Sequence, residues 1–544
     1  MVQVVKMNPP GISAPAPAPI EGYSHGRKIL IFGIMAFGQF MALLDTQIVA
    51  ASLNSIQAGL SAGPDEIAWV QTAYLMAEIV MIPLAAFISQ AVSTRWLFTA
   101  SAVAFTLASL MCGMAWSIES MTLFRAIQGF VGGAMVPTVF ATGFTLFTGK
   151  ERAMVPAILG LVSTLAPTLG PTIGGWITDT ASWHWLFFIN IVPGAFIAIG
   201  LPLLGKVDEP NLGMLKKIDW LHAMSLAVFL GSLQYVLEEG PRHQWLEDQT
   251  VAMMAWISFV GALVFFERSF FSTMPVLKLT PFRRPTFSMA SALSIIIGIG
   301  LYGATYMTPI FLGRVRGYSA LDIGTTVFIT GIFMSLGAPL AARLSTLIDQ
   351  RIVMSFGFSL FALATWLFSH ITPQWGFWEM FVPQAIRGFS ILLCIVPSVG
   401  MALNGVPPAE LRYASGLFNL MRNLGGAIGI AVVTTLLQDF GRTHGERFGE
   451  ALAHGNQSAL GALVARVASH TADAVHARLI VSGEIGQYIA QQSLTMAFQD
   501  VFWLLAALFV AGLIIVPFAK ALPVEAGATP VSDCLGDRGN EGAR

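Results

Sequence analysis

The chain has 544 residues, 55% hydrophobic and 11% charged, with a net charge of −1 and a mean hydropathy of +0.70. Soluble domains carry about 25% charged residues, and a soluble core stops growing near ~250–300 residues, so this much apolar surface faces lipid. The charge balance gives no basic footprint for nucleic acid, and the scattered Cys112, Cys394 and Cys534 form neither a disulfide framework nor a CxxC metal site.

Residues 1–24 are rich in proline, alanine and glycine and lack the apolar core of a signal peptide, so they read as a disordered tail. Apolar runs then follow at about 29–53, 66–90, 97–116, 121–147, 154–178, 185–204, 218–237, 250–266, 286–312, 321–344, 352–370, 376–403, 412–437 and 497–518. A spanning helix needs ~20 apolar residues, so each run is long enough to cross a bilayer. The predicted fold is an all-α integral membrane protein of 14 transmembrane helices. With the N-terminus in the cytoplasm, nineteen Lys and Arg fall on the cytoplasmic side and seven on the far side, four of these in one long loop. The positive-inside rule therefore predicts both termini cytoplasmic.

That loop, about 440–496, holds His444, His454, His470 and His476, and an amphipathic stretch with Leu460, Leu463, Val464 and Val467 at helical spacing. The histidines read as solvated surface residues, with pH sensing as the sharper alternative.

An internal repeat is visible. Residues 124–130 read FRAIQGF and 383–389 read PQAIRGF, each followed by a Val-Pro pair, Val136-Pro137 and Val396-Pro397. Gly170, Gly174 and Gly175 in one half echo Gly425, Gly426 and Gly429 in the other, at an offset near 255–260. Parallel six-helix repeats with a site between them are one plan of secondary transporters. The expected organisation is a tail at 1–28, a first bundle at 29–204, two extra helices at 205–270, a second bundle at 271–520 and a tail at 521–544.

The strongest local motif runs from Ala166 to Gly175, with Pro167, Gly170, Pro171, Gly174 and Gly175. Small residues four apart let helix backbones approach in lipid, and plain helix packing is the simpler reading. The stretch as a whole resembles the antiporter motif of major facilitator exporters. The segments Leu44–Val49, Arg125–Gly129 and Trp183–Asn190 are similar to signatures of the fourteen-helix drug:proton antiporters. Pro309, Gly317–Ala320, Ile348–Arg351, Gly405–Pro408 and Asn419, Arg422, Asn423 and Gly425 resemble their EmrB-type branch. The resemblance implies the major facilitator fold, two six-helix repeats plus two extra helices, and proton-driven export of hydrophobic or amphipathic compounds such as drugs, uncouplers and fatty-acid-like molecules. It also implies the inner membrane of a Gram-negative cell, an EmrA-type periplasmic adaptor and a TolC-type outer-membrane channel. No cofactor is expected. The loop after the second helix departs from the family: Ala85–Arg95 lacks the usual acidic gate residue, which the loop after the tenth helix retains as Asp349. Ala50 and Asn54 stand where the helix-1 motif often has Asn and Pro.

Asp45, Glu78 and Arg125 fall inside spans, where a charge costs at least ~2.5–3.5 kcal/mol and so faces a cavity or a partner. Counting ~1.5 Å per residue sets Asp45 and Arg125 level near the far face and Glu78 near the midplane. They are the candidates for proton coupling. Gln47, Gln71, Tyr74, Gln128, Tyr302, Tyr306, Asn419, Arg422 and Asn423 are candidates for the cavity wall, beside Met76, Met81, Met135, Trp69 and Phe311. Methionine-rich walls repack around varied ligands. No GxxxxGK[ST], HExxH or nucleophile elbow is present, so an ATP-driven pump or a hydrolase is unsupported. A proton-coupled uptake symporter, and from another class a membrane-embedded transferase, remain as alternatives.

Overall fold

The computed structural model describes residues 23–63, 66–152, 154–204, 207–272, 275–407, 410–454 and 474–518, and the described chain is helical with no strand. Fourteen long helices follow one another: α1 (His25–Ala51), α2 (Trp69–Val92), α3 (Thr94–Gly113), α4 (Ile118–Leu146), α5 (Met154–Thr180), α6 (Trp185–Leu204), α7 (Trp220–Glu239), α8 (Gln249–Phe271), α9 (Pro285–Arg314), α10 (Ala320–Leu347), α11 (Gln350–Phe368), α12 (Phe377–Leu403), α13 (Leu411–His454) and α14 (Ala474–Ile515). Thirteen of these are long and apolar enough to cross a membrane over their described residues. The remaining one, α5, is 27 residues long, about 40 Å at 1.5 Å per residue.

Polar caps stop and start the helices at the turns. Ser24, Asp219, Asp248, Ser319 and Asp349 each accept a first-turn amide with the side chain, and Ser117 and Ser120 form a reciprocal capping box at α4. Pro83, Pro309, Pro339, Pro383 and Pro397 lie within spans, which neighbouring helices tolerate in lipid. Helix α4 is interrupted between Gly132 and Met135, where Gly133 lies against the Glu78 backbone carbonyl of α2.

The two halves meet along two seams. On one, α5 packs against α10 and α12. On the other, α2 and α4 pack against α13. The extra pair covers the second seam: α7 packs on both α2 and α13, and α8 lies outside it, mostly exposed. The far end of this hairpin reaches both halves. Thr72 on α2 donates to Glu239 at 3.0 Å, and the Trp245 indole donates to Thr435 on α13 at 3.0 Å.

The segment expected as a long loop is largely a continuation of its flanking helices. Helix α13 runs 44 residues and α14 runs 42, so each is longer than 60 Å by the ~1.5 Å rise, against a hydrocarbon core of ~30 Å. His444 and Asp500 join them at 2.8 Å. Gln491 and Gln499 tie α14 to the carbonyls of Val315 and Ile371. Leu460, Leu463, Val464, Val467 and His470 lie outside the described residues, as do the side chains of His454 and His476.

Candidate functional site

The candidate site has three parts: a buried polar cluster in each half and a cavity at the seam between them. In the first half, Arg125 on α4 reaches α1 and donates to Asp45 at 2.6 Å, both side chains fully buried. Its Nε donates to the Val70 carbonyl at 3.1 Å, and Nη1 also reaches Gln128 at 2.8 Å. Gln128 and Asn190 close the network on Asp45 Oδ1 at 3.1 and 2.6 Å, and Asn190 donates onward to Ser109. The guanidinium lies 4.2 Å from the centre of the Tyr74 ring, a cation–π contact on its remaining face. Side chains from α1, α2, α3, α4 and α6 thus enclose one ion pair. Nε and Nη1 of Arg125 and both Asp45 oxygens are hydrogen-bonded, while Nη2 is buried without a hydrogen-bond partner among the described residues. The approach of α4 to α2 depends on Gly129, since a Cβ there would strike the Tyr74 carbonyl.

The second half repeats the motif with the arginine one turn later. Arg387 takes the place of Gln128 and Gln384 that of Arg125, while Ala304 stands 259 positions after Asp45. Arg387 donates to the Ala304 carbonyl and to Thr308 and Thr330 at 3.0–3.1 Å, and Thr330 donates to Gln384 at 2.9 Å. These partners are neutral.

A cavity of about 130 Å³ lies at the seam between the halves. Among the sequence candidates, Gln47, Gln71, Glu78, Tyr302 and Asn423 line it. Tyr74, Gln128, Asn419 and Arg422 are buried behind it. Arg422 donates to Asn419 at 2.6 Å and sits 5.5 Å from the Phe140 ring of α4, across the seam. Tyr306 is packed against the core instead of lining the cavity. Of the polar wall residues that sequence reasoning missed, Thr46 and Ser163 lie on α1 and α5, and Gln234 and Glu238 lie on α7, outside both repeats. Such reasoning also missed Asn190, although the motif that carries it was recognised.

The motif glycines of α5 serve close packing within the first half. Gly170 abuts Gln47, and a Cβ at Gly174 would sit 2.9 Å from the Ile48 carbonyl. Gly175 is buried, Pro171 half-buried, and the side chain of Pro167 lies outside the described residues. The next residue, Thr172, meets Gly324 of α10, so α5 bears on both halves.

At the face that carries the N-terminus, a carboxylate comes from an unexpected place. Asp208, in the connection between α6 and α7, accepts from Ser93 at 2.7 Å and from the backbone and hydroxyl of Thr94 at 2.9–3.0 Å. It also pairs with Arg412 at the start of α13 in the other half. The acidic group missing from the loop after α2 is thus supplied, in space, from 115 residues further along. In the corresponding loop of the second half, Arg351 pairs with Asp349 at 2.9 Å, and its hydrogen bonds hold that carboxyl below the usual carboxylate range. Among the described residues no group of His, Cys, Asp and Glu could hold a metal ion.

Comparison with known proteins agrees with this architecture. The Major Facilitator Superfamily model matches residues 35–430. The chain is 39% identical to the colistin resistance protein EmrB of Acinetobacter baumannii, over 88% of this chain and 93% of that one. It is 28% identical to the multidrug export protein EmrB of Escherichia coli K12, covering 92% and 96%. It is 26% identical to the fatty acid resistance protein FarB of Neisseria gonorrhoeae, covering 92% and 97%. Among solved structures, the proton:xylose symporter XylE superposes with a TM-score of 0.58 at 11% identity, covering 92% and 97%. The human organic anion transporter MFSD10 gives 0.56 at 13%, covering 90% and 99%. Two bundles meeting around a central cavity, and a sequence match over most of its length, make this chain a member of the Major Facilitator Superfamily.

Proposed function

We propose that the protein is a proton-driven antiporter that exports hydrophobic or amphipathic compounds across the inner membrane, with both termini in the cytoplasm. The observation that carries the reading is Glu78. Among the described residues its carboxylate has no hydrogen bond or ion pair, and it faces a cavity between the halves, one shell away from the closed Asp45–Arg125 pair. An intramembrane carboxylate without a partner is a functional group by default. It offers a place where a proton and a substrate compete. Relatives named for multidrug export, colistin resistance and fatty acid resistance support export over uptake.

The Asp208–Arg412 pair, with Asp208 capping α3, serves as the charge lock of the cytoplasmic face. The extended hairpin of α13 and α14 docks a periplasmic adaptor of the EmrA type, which leads to a TolC-type outer-membrane channel. Helices that outrun the membrane by several turns support this reading. Purified protein in sealed liposomes should move a lipophilic dye when a pH gradient is imposed and stop when the gradient is collapsed. Glu78→Gln should lose gradient-driven transport. Wild-type rates from Glu78→Gln, or transport that ignores the gradient, reject the antiport scheme. Deleting residues 450–485 should abolish resistance in cells yet spare transport in liposomes. Full resistance would remove the docking role.

A further inference from the structure

One wall of the cavity comes from outside both six-helix repeats. Gln234 and Glu238, one turn apart on α7, line the same space as Glu78 of α2. The lining includes two carboxylates and no Lys, Arg or His. Among the described residues neither carboxylate is held by a hydrogen bond or an ion pair. Glu239, next in the chain, is different. It is 5% exposed and clasped by Thr72 at 3.0 Å and by Arg242 and His243 at 3.6 Å. Successive helical residues point about 100° apart, so Glu239 anchors the hairpin while Glu238 faces the cavity. Glu78 and Glu238 are both half-buried, and the cations that act on them, Arg125 for Glu78 and Arg242 for Glu238, do so without pairing, so the cavity-facing carboxyls stay open to a ligand.

We propose that the inserted hairpin is part of the substrate site, and that Glu238 acts with Glu78 to recognise the positive end of an amphipathic cation. Leu75, Ile79 and Ile82 of α2 supply the apolar wall for the rest of the molecule. An amphipathic anion finds no counter-charge in this lining. The assignment rests on the reading of this cavity as the transport site. It makes the two helices that distinguish a fourteen-helix chain from a twelve-helix one a contributor to selectivity. When a monovalent cation binds, one carboxyl ionises and releases its proton to water while the other keeps its proton and contributes a hydrogen-bonding group, so charge is exchanged one for one.

The test uses the full-length protein in detergent, titrated separately with ethidium, a lipophilic cation, and with N-phenyl-1-naphthylamine, an uncharged amphiphile. Losing one charged contact should weaken ethidium binding to Glu238→Gln by roughly tenfold or more. Binding of the uncharged probe should be unchanged, and Glu238→Asp should recover part of the ethidium affinity. An unchanged ethidium affinity overturns the assignment. So does an equal loss for both probes, which would make Glu238 a structural support of the hairpin, and so does a wild type that does not bind ethidium. Gradient-driven ethidium transport in liposomes is scored apart from binding. A wild type that binds but does not pump sinks the antiport reading while leaving the recognition role of Glu238 standing.

Discussion

At the scale of single residues, the Asp45–Arg125 pair is the most constrained feature of the first half. Four neighbours hold it, and it has no exposed surface. Removing one partner of a buried pair costs about 3–5 kcal/mol, because the other charge is left stranded. Asp45→Asn should therefore lower the melting temperature in detergent markedly. Combining it with Arg125→Gln should recover most of that stability without restoring transport. If Asp45→Asn melts like the wild type, the pair is not structurally coupled. This pairing was legible in the sequence, since counting residues along two helices sets both charges at one depth. The amides that complete it were harder to see. Asn190 reads as one more polar residue at a helix end until α6 folds against α1 and α3.

At the scale of helices, α5 carries the clearest sequence motif, and its packing explains the spacing. Gly170 and Gly174, one turn apart, let α1 approach until the Ile48 carbonyl lies where a side chain would begin. Gly174→Val should push α1 and α5 apart, shift Gln47 out of the cavity wall and abolish transport. A cysteine pair across the α1–α5 contact would report the separation as a lost crosslink. Retained crosslinking with full transport would show that the spacing is permissive. Helix α7 teaches the opposite lesson. In the sequence it is one of two extra helices, with an apolar run that ends at 237, just before Glu238. Only its seat on the α2–α13 seam turns that residue toward the cavity, and such placement is set by tertiary packing that periodicity does not encode.

At the scale of the whole molecule, alternation requires the halves to part at one face while meeting at the other. The N-terminal face is held by Asp208, which caps α3 and pairs with Arg412 across the seam. Asp208→Asn should weaken that closure. A cysteine introduced at Ser415, which is fully buried against the Pro137 carbonyl, should then react faster with an impermeant maleimide added from that face. Arg412→Ala should have the same effect, and the double variant should add little, as expected for two ends of one interaction. Additive effects would mean the two residues act separately. That Ala85–Arg95 holds no acidic residue is plain in the sequence, and that Asp208 packs against its end is not. A carboxylate in a connecting segment looks solvated until folding carries it to an arginine 204 positions away.

The length of α13 has a mechanical consequence. The same unbroken helix lines the cavity with Asn423 and Gly426 and continues past membrane depth to His454. It has the form of a lever, with its short arm at the cavity and its long arm beyond membrane depth. A rocking of about 10° around the midplane would carry a tip roughly 45 Å away through about 8 Å, several times the shift at the cavity itself. A protein gripping that tip would feel each transport cycle as a stroke. Spin labels at Gly449 and at Trp116 of the opposite half should change their separation by several ångströms between the protonated and the substrate-loaded protein. A fixed distance would mean that the arm flexes where it leaves the membrane.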